Sequence, residues 1–214
     1  MNIIVVCILL LSDSAYVFDF LHVLDDGNTS DSAVGQIYRI ENDFYINVKE
    51  PVEQVIYFEG DTMIVYYPYY REAFKIKSGI TFKFQTPGGP AGKVGTNLKK
   101  AGFVFIKRES NGQRRVETWS HPKAKIKVIY TYEKNNLVSM QTIGEKGDTL
   151  LVATYGDFIN FENKEIPMLL KVTSGSTKEM YKLSNPRKVF FDDALMGSLR
   201  VPTDAKITLK GFEE

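Results

Sequence analysis

The chain is short of the residues that most enzyme chemistry needs. Of its 214 residues one is cysteine, Cys7, and two are histidine, His22 and His121, about a hundred positions apart. One cysteine forms no internal disulfide. There is no His-Glu-x-x-His, no cysteine pair and no Gly-x-Ser-x-Gly, so zinc and serine-hydrolase readings have no support. An excess of charge is missing too. Twenty-seven basic residues face 26 acidic ones, for a net charge of +1. Electrostatics therefore selects no nucleic-acid partner. The lysines and arginines mostly alternate with apolar residues, as on a solvated sheet face. Long hydrophobic runs are also absent. Ile3 to Leu11 are nine apolar residues, too few to cross a bilayer as a helix. They suit the apolar centre of a secretory signal, with Ser12-Asp13-Ser14 as a small-x-small cleavage site. The usual basic start is missing, since the first Lys or Arg is Arg39. We expect residues 1–14 to be a signal peptide and residues 15–214 to be one domain. With Val6 before Cys7 and a short lead, no lipid attachment at Cys7 is expected.

Two apparent motifs fail on inspection. Gly88-Gly89-Pro90-Ala91-Gly92-Lys93 invites comparison with a phosphate-binding loop. Pro87 stands where its first glycine should be, Val94 replaces the Ser or Thr, and no strand–helix pattern surrounds it. Ser120-His121-Pro122-Lys123 matches Ser-x-x-Lys, but Pro122 in strand-rich surroundings denies the pair a helix face. Glu59, Asp61, Asp148 and Asp157 fall at turns, where backbone geometry accounts for them. The expectation is a protein with no catalytic residues, no metal ligands and no cofactor.

Aromatics and short strands are plentiful, with 12 Tyr and 14 Phe. From Gly35 to Ile76 four strand-like runs are divided by turn residues about every ten positions, which signals an antiparallel meander. Later segments repeat the pattern. Ile80, Phe82 and Phe84 alternate, and Lys123, Lys125 and Lys127 interleave with Ile126, Val128 and Tyr130. Asn111-Gly112 and Asn135-Asn136 read as hairpin turns. Tyr16 to Leu24 is a short helix or a first strand. Pro167 marks the start or edge of the strand Ile166 to Val172. Asp192 to Leu199 is a short helical turn capped by an Asp. The count is ten to twelve strands and very little helix. Thr86 to Ala101, rich in glycine and proline, is an irregular loop expected to lie at the mouth of any cavity. Trp119, the single tryptophan, reads as a core or rim aromatic.

The punctuation of the first meander carries a resemblance. Gly35-Gln36-Ile37-Tyr38, then Pro51-Val52-Glu53-Gln54-Val55, then Gly60-Asp61-Thr62-Met63-Ile64-Val65-Tyr66-Tyr67-Pro68 occur in order. This series resembles the opening hairpins of the LolA/LolB family, carriers that move lipoproteins across the bacterial periplasm. The tail Val201-Pro202-Thr203-Asp204-Ala205-Lys206-Ile207 is similar to that family's too. The resemblance implies a mainly-β fold: a single strongly curved antiparallel sheet, an incomplete half-barrel, with a few short helices over its concave face. It implies a non-enzymatic periplasmic carrier, a monomer, that binds acylated lipoprotein or lipid cargo. An inner-membrane release complex and an outer-membrane acceptor would be its partners. The alternative is a sensor or interaction module of the same fold that binds a partner protein in the cell envelope. The family's Arg-Pro pair after the aromatic strand is replaced here by Ile40-Glu41-Asn42-Asp43, so its arginine-dependent gating is not carried over.

Alternation assigns the cargo-facing residues. Ile46, Val48, Ile64, Tyr66, Phe82, Phe84, Ile126, Val128, Tyr130, Met168 and Leu170 are expected on the concave face, with Met196 from the covering helix. They form the candidate lipid-binding set.

Overall fold

The computed structural model describes residues 15–40, 43–59, 62–77, 98–99, 101–190 and 192–210. Its strands are β1 Ala15–Asp25, β2 Ser30–Ile40, β3 Asp43–Glu50, β4 Gln54–Glu59, β5 Thr62–Tyr67 and β6 Glu72–Lys77. They continue with β7 Val104–Asn111, β8 Arg114–His121, β9 Ile126–Glu133, β10 Asn136–Ile143, β11 Thr149–Phe161, β12 Lys164–Ser174 and β13 Thr177–Val189. Helix α1, Asp193–Ser198, precedes β14, Lys206–Lys210. All fourteen strands join one open sheet in the order β14-β6-β5-β4-β3-β2-β1-β13-β12-β11-β10-β9-β8-β7. This is the mainly-β, antiparallel architecture that the turn spacing predicts, with more strands than the sequence suggested. One departure is β14, which pairs parallel to β6. The chain leaves β13 in mid-sheet and passes through α1 to the β6 edge. Tyr16 to Leu24 resolves as strand β1, not helix. Its first residues are buried in succession, as in a strand covered on both faces.

Hairpin chemistry sets the register. Lys134 and Asn135 both have positive φ between β9 and β10, as do Glu162 and Asn163 between β11 and β12. Such two-residue turns match the right-handed twist of the strands they join. Gly112 (φ +57°) closes β7 onto β8 at the expected Asn111-Gly112 turn. Pro167 pairs with Phe158 of β11 but lies outside the β12–β13 ladder, which spans Leu169 to Ser174. A residue without an N–H is tolerated there. The Asp192 carboxylate accepts from the Leu195 N–H at 2.8 Å and caps α1.

The chain forms two compact units. One is built from the described parts of Leu10–His22, Ser32–Phe82 and Leu183–Glu214, the other from those of Val23–Asp31 and Lys83–Lys182. In the first, Tyr45, Val55, Tyr57, Ile64, Tyr66 and Ala73 form a buried cluster with Leu199, and Leu195, Met196 and Val201 pack against it. Burying each such aliphatic side chain is worth about 1.5–3 kcal/mol. In the second, Leu98, Trp119, Val128, Tyr130, Tyr132 and Leu137 form the core, flanked by Phe103, Met140 and Tyr155.

A polar knot ties β1, β2 and β13 within the first unit. Asp19 accepts hydrogen bonds from Gln36 at 3.0 Å, Asn185 at 2.9 Å and both terminal nitrogens of Arg187 at 3.1 Å. The bond from Asn185, then those from Arg187 and Gln36, hold its carboxyl at about 2, below its ordinary 3.8. A depressed carboxylate pKa stabilises the fold above the unfolded value and stops doing so as pH falls through the folded one. Asp19→Asn should therefore cost about 1 kcal/mol at neutral pH, a figure discounted for partial exposure. It should also flatten the stability profile between pH 4 and pH 2. Urea denaturation across that range checks this, and an unchanged acid limb would refute it.

Candidate functional site

Cross-strand pairing decides which predicted residues share a face, because directly opposed residues point the same way. In the first unit the pairs Tyr45↔Tyr57 and Tyr57↔Ile64 put Ile64 and Tyr66 on the Tyr45 face. The pairs Ile37↔Ile46 and Ile46↔Ile56, followed by Ile56↔Val65, put Ile46 and Val48 on the other. The expectation that these four share one face is therefore corrected. Both faces of β3 are buried, so Phe-Tyr-Ile-Asn-Val shows no polar side from which to read a direction. Ile64 and Tyr66 lie in the buried cluster against which Met196 packs. Arg39, buried, shares the Ile37 face and lies 5.7 Å over the ring of Phe44. Phe82, Phe84 and the loop proposed for the cavity mouth, apart from Leu98, Lys99 and Ala101, lie outside the described residues.

The second unit brings its predicted residues together. Ile126, Val128 and Tyr130 are successive same-face positions of β9. Tyr130 pairs with Met140, Met140 with Ala153 and Ala153 with Val172. Tyr155 pairs with Leu170, and Met168 lies two positions before Leu170 on the same side. Leu170 in turn opposes Tyr181. Apolar and aromatic residues thus run from Trp119 of β8 to Leu170 of β12 and Tyr181 of β13, with the buried Glu179 opposite Val172. Ile126, Val128, Tyr130, Met168 and Leu170 all belong to this surface. Met140, Tyr155 and Phe103 are half-buried and pack against the core cluster of this unit.

Sequence reasoning missed the polar end of this surface. Arg115, Glu117 and Trp119 occupy same-face positions of β8, opposite Tyr132, Tyr130 and Val128. The Glu117 carboxylate is 1% exposed. It accepts from Arg108 Nε at 3.1 Å and lies 2.9 Å from Arg108 Nη2 and 3.4 Å from Arg115 Nε. The Arg115 guanidinium stacks 4.2 Å over the Tyr132 ring. In that pose its N–H groups are poorly placed to donate to the hydroxyl on the ring edge. Burial raises the Tyr132 phenol to about 12, helped by the Glu117 charge and opposed by Arg115. Burial, then the neighbouring Tyr155, raises Tyr130 further. Phe105 meets Trp119 edge-on at 5.0 Å. The signal was available: two charged residues share the parity of a tryptophan along one strand. Alternation read charged residues as solvated, and here the pairing of opposite charges overrides that.

These groups offer hydrogen-bond donors and charge for recognition. Both phenols are held protonated. His121 Nδ1 accepts from the Ala124 N–H at 2.9 Å, and its ring packs edge-on against Phe103. The Ser120 hydroxyl donates to the Ile126 carbonyl. Among the described residues no three His, Cys, Asp or Glu side chains are placed to hold a metal ion. A shallow cleft of about 400 Å³, lined by Gln113, Arg114, Glu133, Asn136, Val138 and Phe158, opens near the β9–β10 turn. Its lining is mostly polar and it does not include the predicted apolar set.

No protein-family model matches the chain, and no curated protein sequence does either. Solved structures match its fold. A LolA superfamily protein from Nitrosomonas europaea is 12% identical, with a TM-score of 0.57, over 85% of this chain and 89% of its own. An outer membrane lipoprotein-sorting protein domain from Vibrio parahaemolyticus is 12% identical, with a TM-score of 0.59, over 86% and 89%. A DUF1329 family protein from Desulfovibrio piger is 12% identical, with a TM-score of 0.60, over 87% and 91%. The chain therefore has the fold of LolA-superfamily proteins.

Proposed function

We propose that this protein is a non-enzymatic carrier of the periplasm. It shelters an acyl chain of a lipid or lipoprotein on the β8–β13 surface and carries it toward the outer membrane. The observation that carries this reading is the continuous apolar surface from Trp119 and Val128 through Tyr130, Met140 and Tyr155 to Leu170. Each methylene of a chain laid on such a surface contributes about 0.8 kcal/mol. Affinity then needs no catalytic group. A fold shared with a lipoprotein-sorting domain agrees with it. The inner-membrane release complex and the outer-membrane acceptor remain the partners proposed for loading and unloading.

Mass spectrometry of a native preparation should find a co-purified acyl lipid. Met140→Asp should weaken binding of a fluorescent fatty acid at least tenfold while leaving the circular dichroism spectrum unchanged. A lipid-free preparation that binds no fatty acid would sink the carrier reading. One feature favours the second reading, an interaction module. At the β7 edge of the sheet, Val104, Phe105 and Ile106 are exposed in succession. Retention of an envelope protein that is lost in a Phe105→Ser variant, with no lipid found, would support that reading instead.

A further inference from the structure

The β8–β9 cluster has buried donors without acceptors. Trp119 Nε1, Tyr132 Oη and Arg115 Nη2 are buried and have no hydrogen-bond partner. Trp119 is 4% exposed and Tyr132 3%. Leaving such a group unpaired costs free energy, so each one calls for an explanation. Trp119 Nε1 and Arg115 Nη2 can only donate, and Tyr132 Oη is a protonated hydroxyl. The local charge points the same way. Arg108 and Arg115 bring two positive charges and Glu117 one negative, which leaves a single excess positive charge. That excess lies where the apolar surface meets solvent, for Arg108 is exposed and Arg115 partly so. Unpaired donors, excess positive charge and an adjoining apolar surface together match one ligand class, an anion attached to a hydrocarbon tail.

We propose that the Arg115 and Tyr132 donors, paired across β8 and β9, receive the anionic head group, a carboxylate or a phosphate, of a single-chain amphiphile whose tail lies along Tyr130, Met140 and Tyr155. This deepens the carrier reading and rests on it. Arg108 and Glu117 act as positioning residues. The carboxylate holds Arg115 flat against the Tyr132 ring.

The test uses the full chain and its single tryptophan. Oleate, methyl oleate, dodecyl phosphate and inorganic phosphate are titrated while Trp119 fluorescence is followed. A charge-assisted hydrogen bond corresponds to about a tenfold or greater gain in affinity. Oleate and dodecyl phosphate should each bind at least about tenfold more tightly than methyl oleate. Arg115→Met should bring oleate and dodecyl phosphate down to the affinity that the same variant shows for methyl oleate, whereas Arg115→Lys should keep part of the preference. Tyr132→Phe should reduce the preference without lowering thermal stability, because the hydroxyl it removes has no partner. Equal binding of oleate and methyl oleate overturns the head-group assignment and leaves the carrier reading standing. So does saturable binding of inorganic phosphate as tight as that of dodecyl phosphate, which would make this a free-anion site. Absence of binding by both oleate and methyl oleate overturns the carrier reading and this inference with it.

Discussion

Gly35→Ala should destabilise the protein by about 3 kcal/mol or more, at the upper end of overpacking effects. At this chain length that is a fall in Tm of roughly 6–12 °C. The cause is space rather than backbone angle. A Cβ built on Gly35 would lie 2.1 Å from the Asn47 carbonyl oxygen, 2.8 Å from Val48 Cα and 2.9 Å from Phe20 Cε1. Two of the three are backbone atoms of the paired strand and cannot rotate aside. Relief requires β2 and β3 to separate where their register shifts, between Val34 and Gly35. That separation would disturb the buried row Ile37, Ile46, Ile56 and Val65. Gly156→Ala is the matched control. Gly156 also sits inside a strand, without positive φ, and its Cβ would meet nothing within 4 Å. It should be neutral or slightly stabilising, by up to about 0.5 kcal/mol. Calorimetric scans of the two variants decide the matter, and equal Tm values would show that the close approach at Gly35 is not structurally costly.

Gly35 also shows why part of this fold was legible. It opens the Gly-Gln-Ile-Tyr run that carries the family resemblance, and its close approach to β3 is a physical reason for glycine in that slot. Turns were legible for a similar reason. Asn111-Gly112 and the asparagines near 135 are residue types that accept positive φ. Side-chain direction was legible only where one face is wet. β9 sets Lys127, Ile129, Thr131 and Glu133 on one face and the buried Val128, Tyr130 and Tyr132 on the other, so its alternation could be read. β3 is covered on both sides, so its reading had no polar reference and failed. β14, five residues long, carries no local mark of the parallel pairing that a long return path imposes on it. The polar end of the candidate site was hidden by a sound general rule. Charged residues usually face water, and Glu117 does not because two arginines answer it.

That pairing makes Glu117 the side chain whose loss should cost most in the second unit. Glu117→Ala should destabilise by about 3–5 kcal/mol, because removing one partner of a buried pair strands the other. Arg115 is the stranded group. It would retain its contact with the Tyr132 ring and lose its counter-charge. Arg108→Ala should cost about 1 kcal/mol or less, since its side chain is 56% exposed and water replaces the bond. Glu117→Gln should fall between them, for it keeps an acceptor and loses the charge. The decisive variant is the double change Glu117→Leu with Arg115→Met. Replacing a buried ion pair with apolar side chains of similar volume is often neutral. The pair should therefore recover most of what Glu117→Ala loses, to within about 1 kcal/mol of the native protein. Trp119 lies two positions from Glu117 on the same face of β8, so its fluorescence reports unfolding of this cluster in urea. If Glu117→Ala unfolds at the same urea concentration as Arg108→Ala, the buried carboxylate is not what holds the arginines. If the double variant is no better than Glu117→Ala, the loss comes from packing volume and the electrostatic account fails.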